Sequence, residues 1–211
     1  MLWSSIATKA QFFTDLTNWI TPTYAQSQED QFFENWSQGK QDSIEYYLSI
    51  FILCEPENQL YHYWLGRAHI AAMSMQNPSS PDDIKSKYFH KAKAQFMLLE
   101  NLDSTSYLPH YAMGMIHWKK AVLTSKIWIP YHYSRKDRDL IGKMMVFMKK
   151  EFNEALPYFQ KAEKLNPNHI PTLARLSELY ARLDDFGMVK RLKRRIEAIK
   201  NEEVFEASIF D

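Results

Sequence analysis

Four of the seven histidines come in two pairs of equal separation, His62 with His69 and His110 with His117, each about two helical turns apart. Imidazole is a common metal ligand, so four on neighbouring helices have the donor chemistry for zinc or copper. The set is incomplete, however. No carboxylate or cysteine is placed among the four, and neither H-E-x-x-H nor an EF-hand loop occurs. The single cysteine, Cys54, excludes an intrachain disulfide and a cysteine-rich zinc site. In the last turn of a packing helix it is expected to be a buried, inert thiol. There is no G-x-S-x-G elbow. The five glycines (Gly39, Gly66, Gly114, Gly142 and Gly187) lie too far apart for a dinucleotide fingerprint or a P-loop. Asp82-Asp83 and Asp184-Asp185 are acidic neighbours of a kind that any chain with 25 acids contains. No nucleophile, base and oxyanion donors combine even in outline. The expectation is therefore no enzyme, no metal and no cofactor.

The elements that would position these residues repeat along the chain. Ile44, Leu48, Phe51 and Pro56 are spaced by 4, 3 and 5 residues; so are Ala92, Phe96, Leu99 and Ser104, and again Ala155, Phe159, Ala162 and Pro167. Steps of 4 and 3 put three apolar side chains on one helix face, and the closing Pro or Ser marks the helix end. Ten residues beyond each stop stands a small residue, Gly66, Gly114 and Ser177 in turn, where two helices can approach closely. His62, Gly66 and His69 match His110, Gly114 and His117, and then Leu173, Ser177 and Tyr180.

With Glu154-Ala155-Leu156-Pro157-Tyr158-Phe159-Gln160-Lys161-Ala162-Glu163-Lys164-Leu165-Asn166-Pro167-Asn168 as its most specific stretch, the chain resembles a tetratricopeptide repeat (TPR) protein over residues 26–200. The resemblance implies an all-α, right-handed solenoid of about four helical hairpins, at 26–58, 59–106, 107–169 and 170–200, with Gly39 at the first inter-helix turn. The family repeat is about 34 residues. Relative to it, 14 residues are extra between Gly66 and Ala92, and 29 between Gly114 and Ala155. The first insertion contains the loop signal Asn77-Pro78-Ser79-Ser80-Pro81-Asp82-Asp83. The second runs through Ile127-Trp128-Ile129-Pro130-Tyr131-His132-Tyr133, an apolar segment broken by Pro, and then enters a helix that Ser134 or Asp137 would cap. Insertions at matched places mean extended helices or a shared extra surface.

In such folds the first helices of successive repeats line the concave face. Carried over, that places Phe33 and Trp36, then Tyr63, Arg67 and Ile70, then Tyr111, Met115 and Trp118, then Ala174 and Glu178 on one groove. Aromatic rings and Met suit the apolar side of a peptide or helix, and Arg67 suits a carboxylate. The resemblance thus implies a non-catalytic protein-binding module: an adaptor, an assembly factor or a dedicated chaperone. No complete Lys/Asn/Arg carboxylate clamp is present, which disfavours chaperone-tail recognition. The paired histidines fall on the family's inter-helix packing positions, where satisfied, buried rings are expected.

The net charge of +1 conceals two unequal ends, −6 over residues 1–60 and +7 over the rest. Five of the six residues Lys190, Arg191, Leu192, Lys193, Arg194 and Arg195 are basic. They read as the solvated face of the last repeat helix, followed by an acidic tail over 201–211. A membrane- or nucleic-acid-associated protein acting through this patch is the alternative, although neither partner is expected. Residues 1–25 carry only Lys9 and Asp15 as charges and read as an amphipathic helix that packs on the domain, occupies the groove itself or mediates self-association. Gln11, Thr14, Asp15, Thr17 and Asn18 make this stretch too polar for a signal peptide ending at Thr23-Tyr24-Ala25. No apolar run reaches the ~18 residues of a spanning helix. A cytoplasmic protein is expected rather than a secreted or periplasmic one.

Overall fold

The computed structural model describes residues 38–75, 87–134 and 138–209, all within one compact unit, Gln38–Asp211. Among the described residues there are seven helices and no strand: α1 (Gln38–Cys54), α2 (Gln59–Met75), α3 (Lys87–Leu102), α4 (Leu108–Ser134), α5 (Arg138–Leu165), α6 (Ile170–Arg182) and α7 (Phe186–Ile209). Each helix packs on the next in sequence, most extensively α4 on α5, α2 on α3 and α6 on α7. In addition α2 packs on α4. The architecture is all-α, with helices packed in neighbouring pairs. The proposed N-terminal helix over 1–25, with Phe33 and Trp36, lies outside the described residues, as does the Asn77–Asp83 loop signal.

The spaced apolar triads form the seams. Ile44, Leu48, Ala92, Phe96, Leu99, Ala155, Phe159 and Ala162 are all buried. Gly66 faces the Phe96 ring so closely that an added Cβ would fall inside it. Gly114 faces Phe159 in the same way, a Cβ there meeting the ring at 2.9 Å. The small residues of α2 and α4 are therefore required by the phenylalanines of α3 and α5, and the two hairpins share one close-approach contact at equivalent positions.

The turns between hairpins repeat as well. The Asn58 N–H donates to the Glu55 carbonyl (3.1 Å), Ser106 to Asp103 (3.4 Å) and His169 to Asn166 (3.3 Å). The side chain of the same turn residue then caps the next helix: Asn58 Oδ1 accepts from the Leu60 N–H (3.1 Å) and Ser106 Oγ from the Leu108 N–H (3.2 Å). His169, the N-cap of α6, makes no such cap bond; its Nδ1 pairs with Thr172 Oγ1 at 2.7 Å instead. Between α6 and α7, Asp184 takes a left-handed conformation (φ 61). The Asp185 N–H closes that turn on the Tyr180 carbonyl (2.9 Å), and Asp185 Oδ1 caps α7 through the Met188 N–H (3.0 Å).

Several local expectations change. The helix does not break at Pro130: α4 continues to Ser134, so Ser134 ends α4 instead of capping α5. The second insertion is thus absorbed as helix, giving α4 27 residues and α5 28. Gly39 lies in the first turn of α1 rather than in a turn before it. The stretch 201–209 continues α7 instead of forming a tail. Cys54 is exposed at the end of α1, because the buried face there belongs to Ile44 and Leu48.

Replacing Gly114 by Ala is expected to destabilise the protein by about 1–3 kcal/mol through overpacking against Phe159. Combined with Phe159→Leu, it should cost less than the sum of the single changes, by at least about 0.5 kcal/mol. Urea unfolding of the four-member cycle measures this, and strict additivity would show that the two positions do not touch.

Candidate functional site

The first-helix face is where the sequence places its binding residues, and α2, α4 and α6 bring most of them together. Tyr63, Arg67, Tyr111 and Met115 are only 1–5% exposed, and Ile70 is buried with them. The Arg67 guanidinium carbon lies 6.0 Å from the Tyr63 ring centre, and Tyr111 packs on Phe159 with centroids 5.8 Å apart. These side chains form the floor of the face rather than an open groove. What reaches solvent is its edge. Trp118 is half-buried beneath the Arg175 guanidinium, 3.9 Å from the ring centre, and Arg175 in turn donates to Glu178 at 2.9 and 3.1 Å. The stacked cation takes the electron-rich ring face, while the indole Nε1–H is buried without a hydrogen bond to any described residue. Ala174 is half-buried and Glu178 exposed, while Arg175 is buried at 9% exposure, so the α4–α6 edge presents to solvent the Glu178 carboxylate and part of the Trp118 ring.

Beneath the other side of α4 lies a polar centre. Glu151, 4% exposed, accepts from His117 Nδ1 (2.8 Å) and from the Lys120 ammonium (2.5 Å). Burial works against its charge, yet the two hydrogen bonds and the Lys120 charge hold its carboxyl below the usual range. Tyr158 stacks on the His117 ring at 5.8 Å and 10°. The Lys120 ammonium sits 4.3 Å from the Phe89 ring centre and 5.4 Å from that of Phe147. Both charges are matched and walled by rings, which is what allows them to be buried. Sequence reasoning did not single out Lys120 or Glu151. The available signal was an acid standing four residues before Ala155, in line with the buried stripe of α5.

Of the paired histidines, His62, His69 and His110 are buried and His117 half-buried, and His62 is hydrogen-bonded through both ring nitrogens. His62 pairs through Nε2 with the Pro56 carbonyl and through Nδ1 with the Gln95 amide, both at 2.8 Å. The carbonyl can only accept, so it fixes the proton on Nε2. His117 has Glu151. His69 and His110 are buried with a carboxylate no closer than 3.9 Å, from Glu45 and Glu100 respectively. No group of three or more metal-ligating side chains comes together among the described residues. Burial lowers His69 to about 4 against the partial pull of Glu45. Burial also lowers His110, and it takes His169 to about 4, where the ring packs 4.5 Å from Tyr107 and 5.0 Å from Tyr111.

The basic residues of α7 divide. Lys190, Arg191, Lys193 and Arg194 are exposed, whereas Arg195 is a tie: it donates to Glu163 at 2.6 Å and to the Pro167 carbonyl, fastening α7 to the end of α5. No helix among the described residues is long and apolar enough to cross a membrane. No protein-family profile matches the chain, and no curated protein matches it in sequence.

Two predictions follow from the buried polar groups. A neutral histidine with a lowered folded pKa leaves the unfolded chain binding more protons, so its stabilisation is full above about pH 6.5 and is lost as pH falls towards about 4. Thermal unfolding should therefore fall across that window, and His169→Phe should flatten part of the slope; an unchanged slope would show His169 does not titrate there. Glu151→Ala should cost about 3–5 kcal/mol by stranding the Lys120 charge. Pairing Glu151→Leu with Lys120→Met should recover most of it in the same denaturation assay.

Proposed function

We propose that the chain is a non-catalytic protein-interaction module, a right-handed stack of about four TPR-like helical hairpins that holds a peptide or helix of another protein along its first helices. The observation that supports this reading is the triple recurrence of one turn, at Glu55–Asn58, Asp103–Ser106 and Asn166–His169, each with its second residue ten positions before the small residue of the next helix. Repetition of turn and seam together is what a solenoid needs in order to set its first helices side by side. Such a row presents one continuous face and leaves the chemistry of recognition to the side chains along it.

On this reading Glu178 and the half-buried Trp118 make the first contact, with the buried Arg175 holding the two together. Aromatic and Arg side chains are enriched where interfaces carry their energy. The buried floor of Tyr63, Arg67, Tyr111 and Met115 sets the shape of the face. The polar groups beneath it support the same assignment: His117 is spent on Glu151 and Tyr158, in an arrangement that positions helices and offers no nucleophile. The work is that of an adaptor, an assembly factor or a dedicated chaperone, and an exposed lone thiol at Cys54 suits a reducing cytoplasm.

The test is positional. A photo-cross-linking residue at Trp118 or Glu178 should capture the same discrete polypeptide in cells. The same residue at Met97 or Lys161, exposed on the second helices, should not. Equal capture from both faces, or none from the first, would remove the support for binding along the first helices.

A further inference from the structure

The insertion that lengthens α4 and α5 carries an exposed surface that protein binding along the first helices does not use. Residues 138–150 of α5 run about 20 Å beyond Glu151. Their inner side is anchored, with Met144 fully buried and Leu140, Phe147 and Met148 half-buried. The outer arc is different. Val146 is 72% exposed and Met145 55%, and they stand among the exposed cations Arg138, Lys143, Lys149 and Lys150. Its single acid, Asp139, is neutralised by Lys143 at 2.5 Å. An open cavity of about 520 Å³ follows this arc from Arg138 through Gly142 and Val146 to Lys150.

Over 138–150 the helix has four Lys or Arg against Asp139 alone. Exposed aliphatic side chains within a cationic arc match the chemistry of a bilayer interface: cations for anionic headgroups, Val and Met for the acyl boundary. We propose that the outer arc of α5 over 138–150 docks on an anionic membrane surface. In the sequence these side chains read only as part of a helix within the second insertion.

This surface is separate from the first-helix face, so its test is independent. The full-length protein is floated with phosphatidylcholine vesicles, with and without phosphatidylglycerol, at about 0.05 M and about 0.5 M salt. It should float with the anionic vesicles at low salt and not with the neutral ones. Each cation near such a surface contributes about fivefold in affinity. Lys149→Glu with Lys150→Glu should accordingly weaken flotation by at least about tenfold, as should Met145→Ser with Val146→Asp. Both pairs are exposed, and circular dichroism confirms that the variants fold. Lys190→Glu with Arg194→Glu on α7 should leave flotation unchanged. The proposal is overturned if the folded protein does not float with anionic vesicles, or if the α5 variants float as well as the parent. It is equally overturned if only the α7 variant loses binding, or if polyglutamate captures the protein while vesicles do not, which would identify an acidic protein as the partner.

Discussion

A helix position with no side chain, pressed against a phenylalanine on the next helix, sets the geometry from which the rest follows. At Gly66 and Gly114 the backbone itself is the contact surface, and Phe96 and Phe159 fill the space that a Cβ would take. The interhelical distance is then set by a ring against a backbone. Once the helices are that close, the positions one turn to either side of each phenylalanine must fit the same seam, and Ala92 and Leu99, or Ala155 and Ala162, do so. A larger residue at either glycine would force the whole pair apart, because a packed interior has no slack to absorb it. Ser177 occupies the corresponding place in α6 and is buried in the same way.

Helices packed so closely enclose whatever polar groups lie along their faces, and these groups have become cross-ties. His62 joins the turn that precedes α2 to Gln95 on α3. Glu151 joins α5 to two residues of α4, and Arg195 joins α7 to the end of α5. Each tie spans elements that already touch, so its contribution is to register more than to attraction. A buried ion pair adds little net stability over an apolar one but penalises every alternative alignment in which its charges are stranded. His69, His110 and His169 show the other outcome: burial pushes each ring below the usual imidazole range, and that ties the packing to pH.

What could be read from the sequence was local and periodic. The 4-3-5 spacing, the ten-residue step and the small residues at Gly66 and Gly114 are properties of one helix or one turn, and all of them reappear in the structure. What could not be read depended on partners distant in sequence. Arg195 looks like its neighbours until Glu163, 32 residues away, is seen to hold it. Tyr63, Tyr111 and Met115 were assigned to a face by register, and register is silent about how deeply a face is covered. Pro130 reads as a break because its local cost is known, yet α4 continues through it. Cys54 follows an apolar stripe by position but falls outside the buried arc. Glu151 left a trace in the sequence that was passed over, a charge standing where the α5 stripe calls for an apolar residue.

The lengthened hairpin follows from the same constraint. An insertion between two antiparallel helices can keep them paired only by extending both, joined by a short connection. The 27 residues of α4 and 28 of α5, against 13 in α6, meet that condition. The stripe of α5 continues through Leu140, Met144 and Phe147 into the extension, so the added length keeps a buried side. With that side buried, nothing in the packing dictates the residues on the other. That outer arc is nevertheless strongly biased: four cations, one acid already paired, and two aliphatic side chains in water. Exposing Val146 and Met145 carries an unfavourable hydration cost that a Lys or Glu at the same position would avoid. Because each hairpin in such a stack leans only on its neighbours, one can be lengthened and specialised without disturbing the others.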